Sequence, residues 1–278
     1  MFDKPLTRVL WCVAVSLLVS GIGLGSTTAE PRTGLAELHD HSHGAQRRGG
    51  ISDAYRRRRD QWHKRAPRRL VREWQAMEPP PLVLRPVWTN ERFTLTPDAE
   101  GAFNEEQMAK ARQALSWRRD GSHREIHGRL VELIYRAALE FDAPWVWVVS
   151  GFRGRRPTSR HFQGRAADIV LPGVRDRRLA HFLRRQGFVG VGVYPVSGFV
   201  HLDVRQSSFF WFDYTGPGQA QRNRPTMFGA ARRFDRQAAS RGELRTPDLE
   251  ASAAEAEAES QLVRPERESE NSESAGGS

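Results

Sequence analysis

The chain has 278 residues, 38% hydrophobic and 27% charged, which allows one packed core of ordinary size but not one that uses the whole length. Its net charge of +10 and pI near 10.7 come almost entirely from arginine, since Lys4, Lys64 and Lys110 are the only lysines. That balance suits anionic partners, yet the arginines are spread along the chain and no nucleic-acid-reading motif accompanies them, so a nucleic-acid partner is not expected.

Residues 1–29 read as a signal peptide or N-terminal membrane anchor. Lys4 and Arg8 form a positive start, Val9 to Gly25 is a chargeless apolar run, and Thr27-Thr28-Ala29 offers a small-residue cleavage site. Either outcome places the remainder outside the cytoplasmic membrane, in the periplasm or cell envelope, touching a membrane only through an uncleaved first segment. The single cysteine, Cys12, falls inside the apolar run, so the mature chain has no thiol for a disulfide or a thiolate metal site. Residues 30–81 are polar and rich in Arg and Pro, and read as a disordered linker with at most a short helix near Val71 to Met77. Its cluster His39-Asp40-His41-Ser42-His43 reads as chance histidines in a solvated segment. Residues 234–278 read as an acidic low-complexity tail, which leaves 82–233 as the folded domain.

Within that domain, Arg92 to Thr96 is predicted to be a short strand. Glu105 to Trp117 carries Met108, Ala111 and Leu115 at helical spacing, and Ile126 to Phe141 carries a longer stripe of Leu130, Leu133, Ile134, Ala137, Ala138 and Phe141. Trp145 to Ser150 reads as a buried strand, its Trp145 and Trp147 as core or cleft wall, and His123 and His127 as structural residues at a helix start. Ala166 to Leu171 is a second strand, followed by a helix from about Arg175 to Arg185 that stops at Gly187. Phe188 to Tyr194 and Gly198 to Val204 form a hairpin around Pro195-Val196-Ser197. Helices first and hairpin-linked strands later indicate an α+β fold: a small, mainly antiparallel sheet with helices packed on one side.

Chemistry concentrates in three short segments: Ser150-Gly-Phe-Arg153, Ser159-Arg-His161-Phe-Gln-Gly164-Arg-Ala-Ala-Asp168, and Phe199-Val-His201-Leu-Asp203. A catalytic zinc needs about three protein ligands and an open position. A loop-borne His161 turned by Gly164, a strand-borne Asp168 and a His201 from the neighbouring hairpin strand can meet at one point. Strand alternation puts Phe199, His201 and Asp203 on one face, so Asp203 can act there as a general base or as a partner that orients a histidine.

The pattern Ser-x-His-x-x-Gly-x-Ala-x-Asp with a later Phe-Val-His-x-Asp strand resembles the M15 group of zinc peptidases, which share a fold with the Hedgehog signalling domain. The resemblance is strongest to the exported murein endopeptidase branch formerly classed as a domain of unknown function. It rests on Ser150 to Arg153, His161 to Asp168, Leu171-Pro-Gly-Val174, Gly190-Val-Gly192-Val-Tyr194-Pro and Phe199 to Asp203, and covers about Gln107 to Arg205. It implies a Hedgehog/DD-peptidase-like fold with zinc at the sheet surface, held by His161, Asp168 and His201, and a monomer that hydrolyses peptide bonds in peptidoglycan as an endopeptidase or carboxypeptidase. It also implies that Arg153 contacts a substrate carboxylate or the developing oxyanion; Ser159 and Tyr194 are expected at the substrate, and Asp203 is the expected choice of catalytic base. Two departures stand out: the Arg153–Ser159 connection is short, and Phe199 occupies the position where other members carry a Glu or His. A wall-binding module that keeps the metal site without hydrolysis is the alternative reading.

Overall fold

The structure, a computed structural model, describes residues 51–220 and 222–246; the expected signal or anchor segment, the His39–His43 cluster and the part of the expected tail beyond Thr246 lie outside the described residues. Six helices and eight strands follow in the order α1 (Asp53–Trp62), α2 (Arg68–Gln75), β1 (Leu82–Pro86), β2 (Phe93–Leu95), α3 (Glu105–Ala114), α4 (Gly128–Glu140), β3 (Val146–Ser150), β4 (Ala166–Val170), α5 (Asp176–Arg184), β5 (Val189–Tyr194), β6 (Phe199–Val204), β7 (Phe209–Phe212), β8 (Arg224–Thr226) and α6 (Phe228–Ser240). Among these residues no helix is long and apolar enough to cross a membrane.

The eight strands form one sheet in the order β2-β1-β3-β4-β6-β5-β7-β8. The sheet is mixed, which corrects the expectation of a small and mainly antiparallel one: β1 pairs parallel with β3, and β5 parallel with β7. A parallel neighbour requires a long crossover, here through α3 and α4 in the first case and through β6 in the second. Hairpin signals in a sequence reveal only adjacent antiparallel partners, so the parallel β1–β3 and β5–β7 pairings escape them.

Strand alternation divides the sheet into two faces with different chemistry. Val146 and Val148, Ala167 and Ile169, Val189, Val191 and Val193, and Val200, Leu202 and Val204 join one apolar core with Leu130, Leu133 and Ile134 of α4, Leu179 and Leu183 of α5, and Phe234 of α6. Each fully buried Leu or Ile there contributes roughly 1.5–3 kcal/mol relative to exposure. The helices that cover this face begin at residues suited to it. Asn104 caps α3 by accepting from the Gln107 amide at 3.0 Å, ahead of Glu105 and Glu106 in the first turn, and His127 caps α4 by accepting from the Arg129 amide. The other sheet face carries Asp168, His201, Asp203, Gly190, Gly192, Tyr194 and Trp211.

Helical structure extends beyond residues 82–233. Helix α1 lies in the stretch expected to be a disordered linker, and α2 overlaps the short helix expected near Val71 to Met77; Trp62 and Trp74 anchor them, buried outside the apolar core. Trp74 Nε1 donates to the Pro81 carbonyl at 2.7 Å. Sparse aromatic anchors among many arginines leave no apolar period to read. At the other end, a boundary at Arg233 would cut α6 ahead of buried Phe234 and Ala238.

Candidate metal centre

One row of paired residues crosses the sheet face opposite the core: Ser150 beside Asp168, Asp168 beside His201, His201 beside Gly192, and Gly192 beside Trp211. His161 reaches the same place from the turn before β4. That turn depends on Gly164, which sits at φ +67° and whose Cβ, if present, would lie 1.9 Å from the Glu125 carbonyl oxygen. The spacing His161–Gly164–Asp168 thus lets the loop fold back and deliver its histidine over the strand.

His161 Nε2, His201 Nδ1 and Asp168 Oδ1 form a triangle with sides of 3.2, 2.9 and 3.4 Å. All three residues are buried, and among the described residues they are the one group of ligand-type side chains gathered this closely. The outer atoms of the group are already taken. His161 Nδ1 lies 2.7 Å from the Gly151 carbonyl oxygen, which can only accept, so this nitrogen carries the proton and Nε2 presents its lone pair inward. His201 Nε2 lies 3.0 Å from Asp203 Oδ2 and donates to it, which points Nδ1 at the same spot. Arg153 Nη2 donates to Asp168 Oδ2 and leaves Oδ1 on the triangle. Two imidazole lone pairs and a carboxylate oxygen converging in a buried space favour a cation between them. Ligands bonded at about 2.0–2.1 Å in tetrahedral geometry sit about 3.3 Å apart, so the observed spacings fit a zinc-sized ion with a fourth position open.

The charges follow the same layout. Burial pushes His161 down to about 4, reinforced by Arg153. Burial alone would raise Asp168, but Arg153 and the histidines outweigh it and hold the carboxyl well below the usual range. Burial would also lower His201, but its bonds to Asp168 and Asp203 prevail and raise it. Asp203 is held down against burial by Arg205 and Arg160.

The remaining expected site residues are placed differently from one another. Asp203 lies behind His201, on its outer nitrogen, and receives Arg205 Nε and Nη2 at 2.7 Å each, with Arg160 Nε at 3.5 Å. Both of its oxygens are thus engaged on the side of His201 away from the donor triangle. Arg153 is bonded to Ser150 Oγ at 2.8 Å and to Asp168, and its Nη1 has no partner among the described residues. Ser159 is half-buried on the His161 turn and makes no hydrogen bond to the cluster through its side chain. Tyr194 stacks on Phe199 with ring centroids 4.5 Å apart and accepts from Trp211 Nε1 at 3.1 Å; burial raises its phenol above the ordinary range, so it stays protonated. His123 is exposed, His127 caps α4, and Trp145 and Trp147 pack together under Arg85, outside the core.

Sequence reading missed Arg160, Arg205 and Trp211. The first two follow Ser159 and Val204 at positions where a buried arginine is rare, and only the facing Asp203 explains them. Trp211 packs against the His201 ring at 5.2 Å because Gly192 gives it room: a Cβ there would sit 2.4 Å from the indole. The Gly-x-Gly of β5 was visible; what it made space for was not.

Residues 74–207 match the family model Peptidase_M15_2, described as peptidoglycan L,D-endopeptidase MepK. No curated protein and no solved structure matches the chain, so the expected Hedgehog-like fold gains no support from known structures. The matched stretch contains His161, Asp168, His201, Asp203, Arg153 and Arg205 and ends just past β6, and over these residues the match supports an M15-type murein peptidase.

Proposed function

We propose that this domain is a zinc-dependent peptidoglycan endopeptidase that cuts an L,D bond in peptide cross-links, acting as an exported monomer. The observation that carries the reading is the donor triangle of His161, Asp168 and His201 with both outer imidazole nitrogens tied back, lying inside a stretch that matches a peptidoglycan endopeptidase family. His161, Asp168 and His201 would hold a zinc ion, which would supply Lewis-acid polarisation of a carbonyl and lower the pKa of water. The protein's own groups do the rest. Gly151 and Asp203 hold the two imidazoles in the tautomers that face inward. Arg205 and Arg160 keep Asp203 an anion, so its hold on His201 persists. Arg153 fixes Asp168 through Nη2 and offers Nη1 to a substrate carboxylate or to the oxygen on which charge develops. Trp211 packs on the His201 ring and is itself held by its bond to the Tyr194 hydroxyl.

Digestion of purified sacculi with the zinc-loaded protein, with released muropeptides identified by mass, tests the proposal. Products cut at an L,D bond within a cross-link support it. Loss of only a terminal residue would make the protein a carboxypeptidase. Salt-dependent retention on sacculi without any release would make it a binding module that keeps the metal site.

A further inference from the structure

Helix α1 lies outside the family-matched stretch, yet it holds the turn that leads into the candidate site. Three side chains four residues apart form one stripe, Tyr55, Arg59 and the C-cap residue His63. Each meets one of three consecutive backbone carbonyls in the β5–β6 turn. Arg59 Nη1 donates to Val196 O at 3.1 Å, Tyr55 Oη donates to Ser197 O at 2.9 Å, and His63 Nε2 lies 3.1 Å from Gly198 O. Buried Trp62 steadies the stripe edge-on against Tyr55 at 5.9 Å, and the His63 carbonyl accepts from the Gly173 amide at 3.2 Å. Water could satisfy the carbonyls of an exposed turn. Three long side chains from one helix immobilise it as well.

What the turn carries gives this contact a consequence. It joins Tyr194, the last residue of β5, to Phe199, the first of β6, whose rings stack beside the His201 row, and His201 follows two residues later. Tyr55 lies close enough to the cluster that the Asp168 charge adds to burial in raising its phenol. His201 itself is held by ladder pairing on both sides, so freeing the turn moves the Tyr194–Phe199 wall before it moves the metal ligands.

We infer that α1 is a splint for the β5–β6 turn, and that Tyr55, Arg59 and His63 are positioning residues that set the wall against which a cross-link peptide lies. The inference rests on the peptidoglycan reading for its substrate, but the splint itself does not. The test uses the full zinc-loaded chain and a purified cross-linked muropeptide dimer, with Tyr55→Phe, Arg59→Met and His63→Leu made singly and together, and Lys64→Gln as an exposed control. The triple variant is expected to raise KM about tenfold, with kcat within about twofold and zinc affinity unchanged. Hydrogen exchange across residues 194–199 should quicken in it and stay unchanged in the control. Unchanged KM in an otherwise active protein would overturn the positioning role. A parent that cleaves nothing would overturn the peptidoglycan reading instead, and exchange then decides: faster exchange in the triple variant upholds the splint, and unchanged exchange overturns it.

Discussion

Asp168 and Asp203 lie on neighbouring strands and share a sheet face, yet their surroundings give them different work. Asp168 keeps one oxygen on the donor triangle because Arg153 takes the other. Asp203 gives both oxygens to Arg205 and one of them also to His201. Asp203→Asn is therefore expected to weaken zinc affinity about 10- to 100-fold, with turnover restored at saturating zinc. Measuring chelator competition and muropeptide release on the same preparations separates the two effects; turnover lost by 10²-fold or more at full zinc occupancy would return Asp203 to the role of base. A second expectation at this scale concerns pH. In the metal-free protein His201 titrates above its ordinary range, and its Nδ1 proton must leave before a metal can bind. Zinc affinity should then fall about tenfold per pH unit below that raised value and level off above it. His161, held at about 4, stays neutral over the same interval and adds no slope. Affinity that is flat from pH 5.5 to 8 would refute the assignment of His201 as a ligand. At this scale the sequence was most legible, because alternation and glycine spacing act over a few residues. Arg160 and Arg205 were not legible, since a buried arginine makes sense only once its carboxylate is known.

At the scale of elements, α6 and α1 change what counts as the domain. Asp235 of α6 accepts from the Phe188 amide at 2.6 Å and from the Ser208 amide at 2.8 Å, tying the approaches to β5 and β7 together. A fragment of residues 82–233 loses that carboxylate, buried Phe234 and the whole α1 contact. Compared with residues 51–246, it is expected to melt lower by roughly 10 °C or more, from the cost of removing a buried aromatic alone. Matched calorimetric scans check this, and equal melting temperatures would restore the shorter boundary. Neither helix could be placed from its own pattern. Much of their hold comes from a few side chains, Tyr55 and Arg59 in α1 and Phe234 and Asp235 in α6, and what these meet lies far away along the chain.

For the whole molecule, a metal that binds only the folded state stabilises it by mass action. Zinc at about 100 times its dissociation constant is worth about 2.7 kcal/mol, which for a domain of this size corresponds to a rise of roughly 5–10 °C in Tm. The rise should be reversed by chelator and absent in His161→Ala and Asp168→Ala; a full rise in both variants would place the metal elsewhere. Alternation and the short glycine motifs told, from sequence alone, which side chains share the face opposite the core, because those rules depend only on neighbours in the chain. The mixed sheet, the arginines behind Asp203 and the α1 splint came from tertiary structure. Arg205 is only two residues from Asp203, but the parallel strands and Arg160 with Asp203 join segments far apart in the chain, and a period of two or 3.6 carries no information about where such a partner lies.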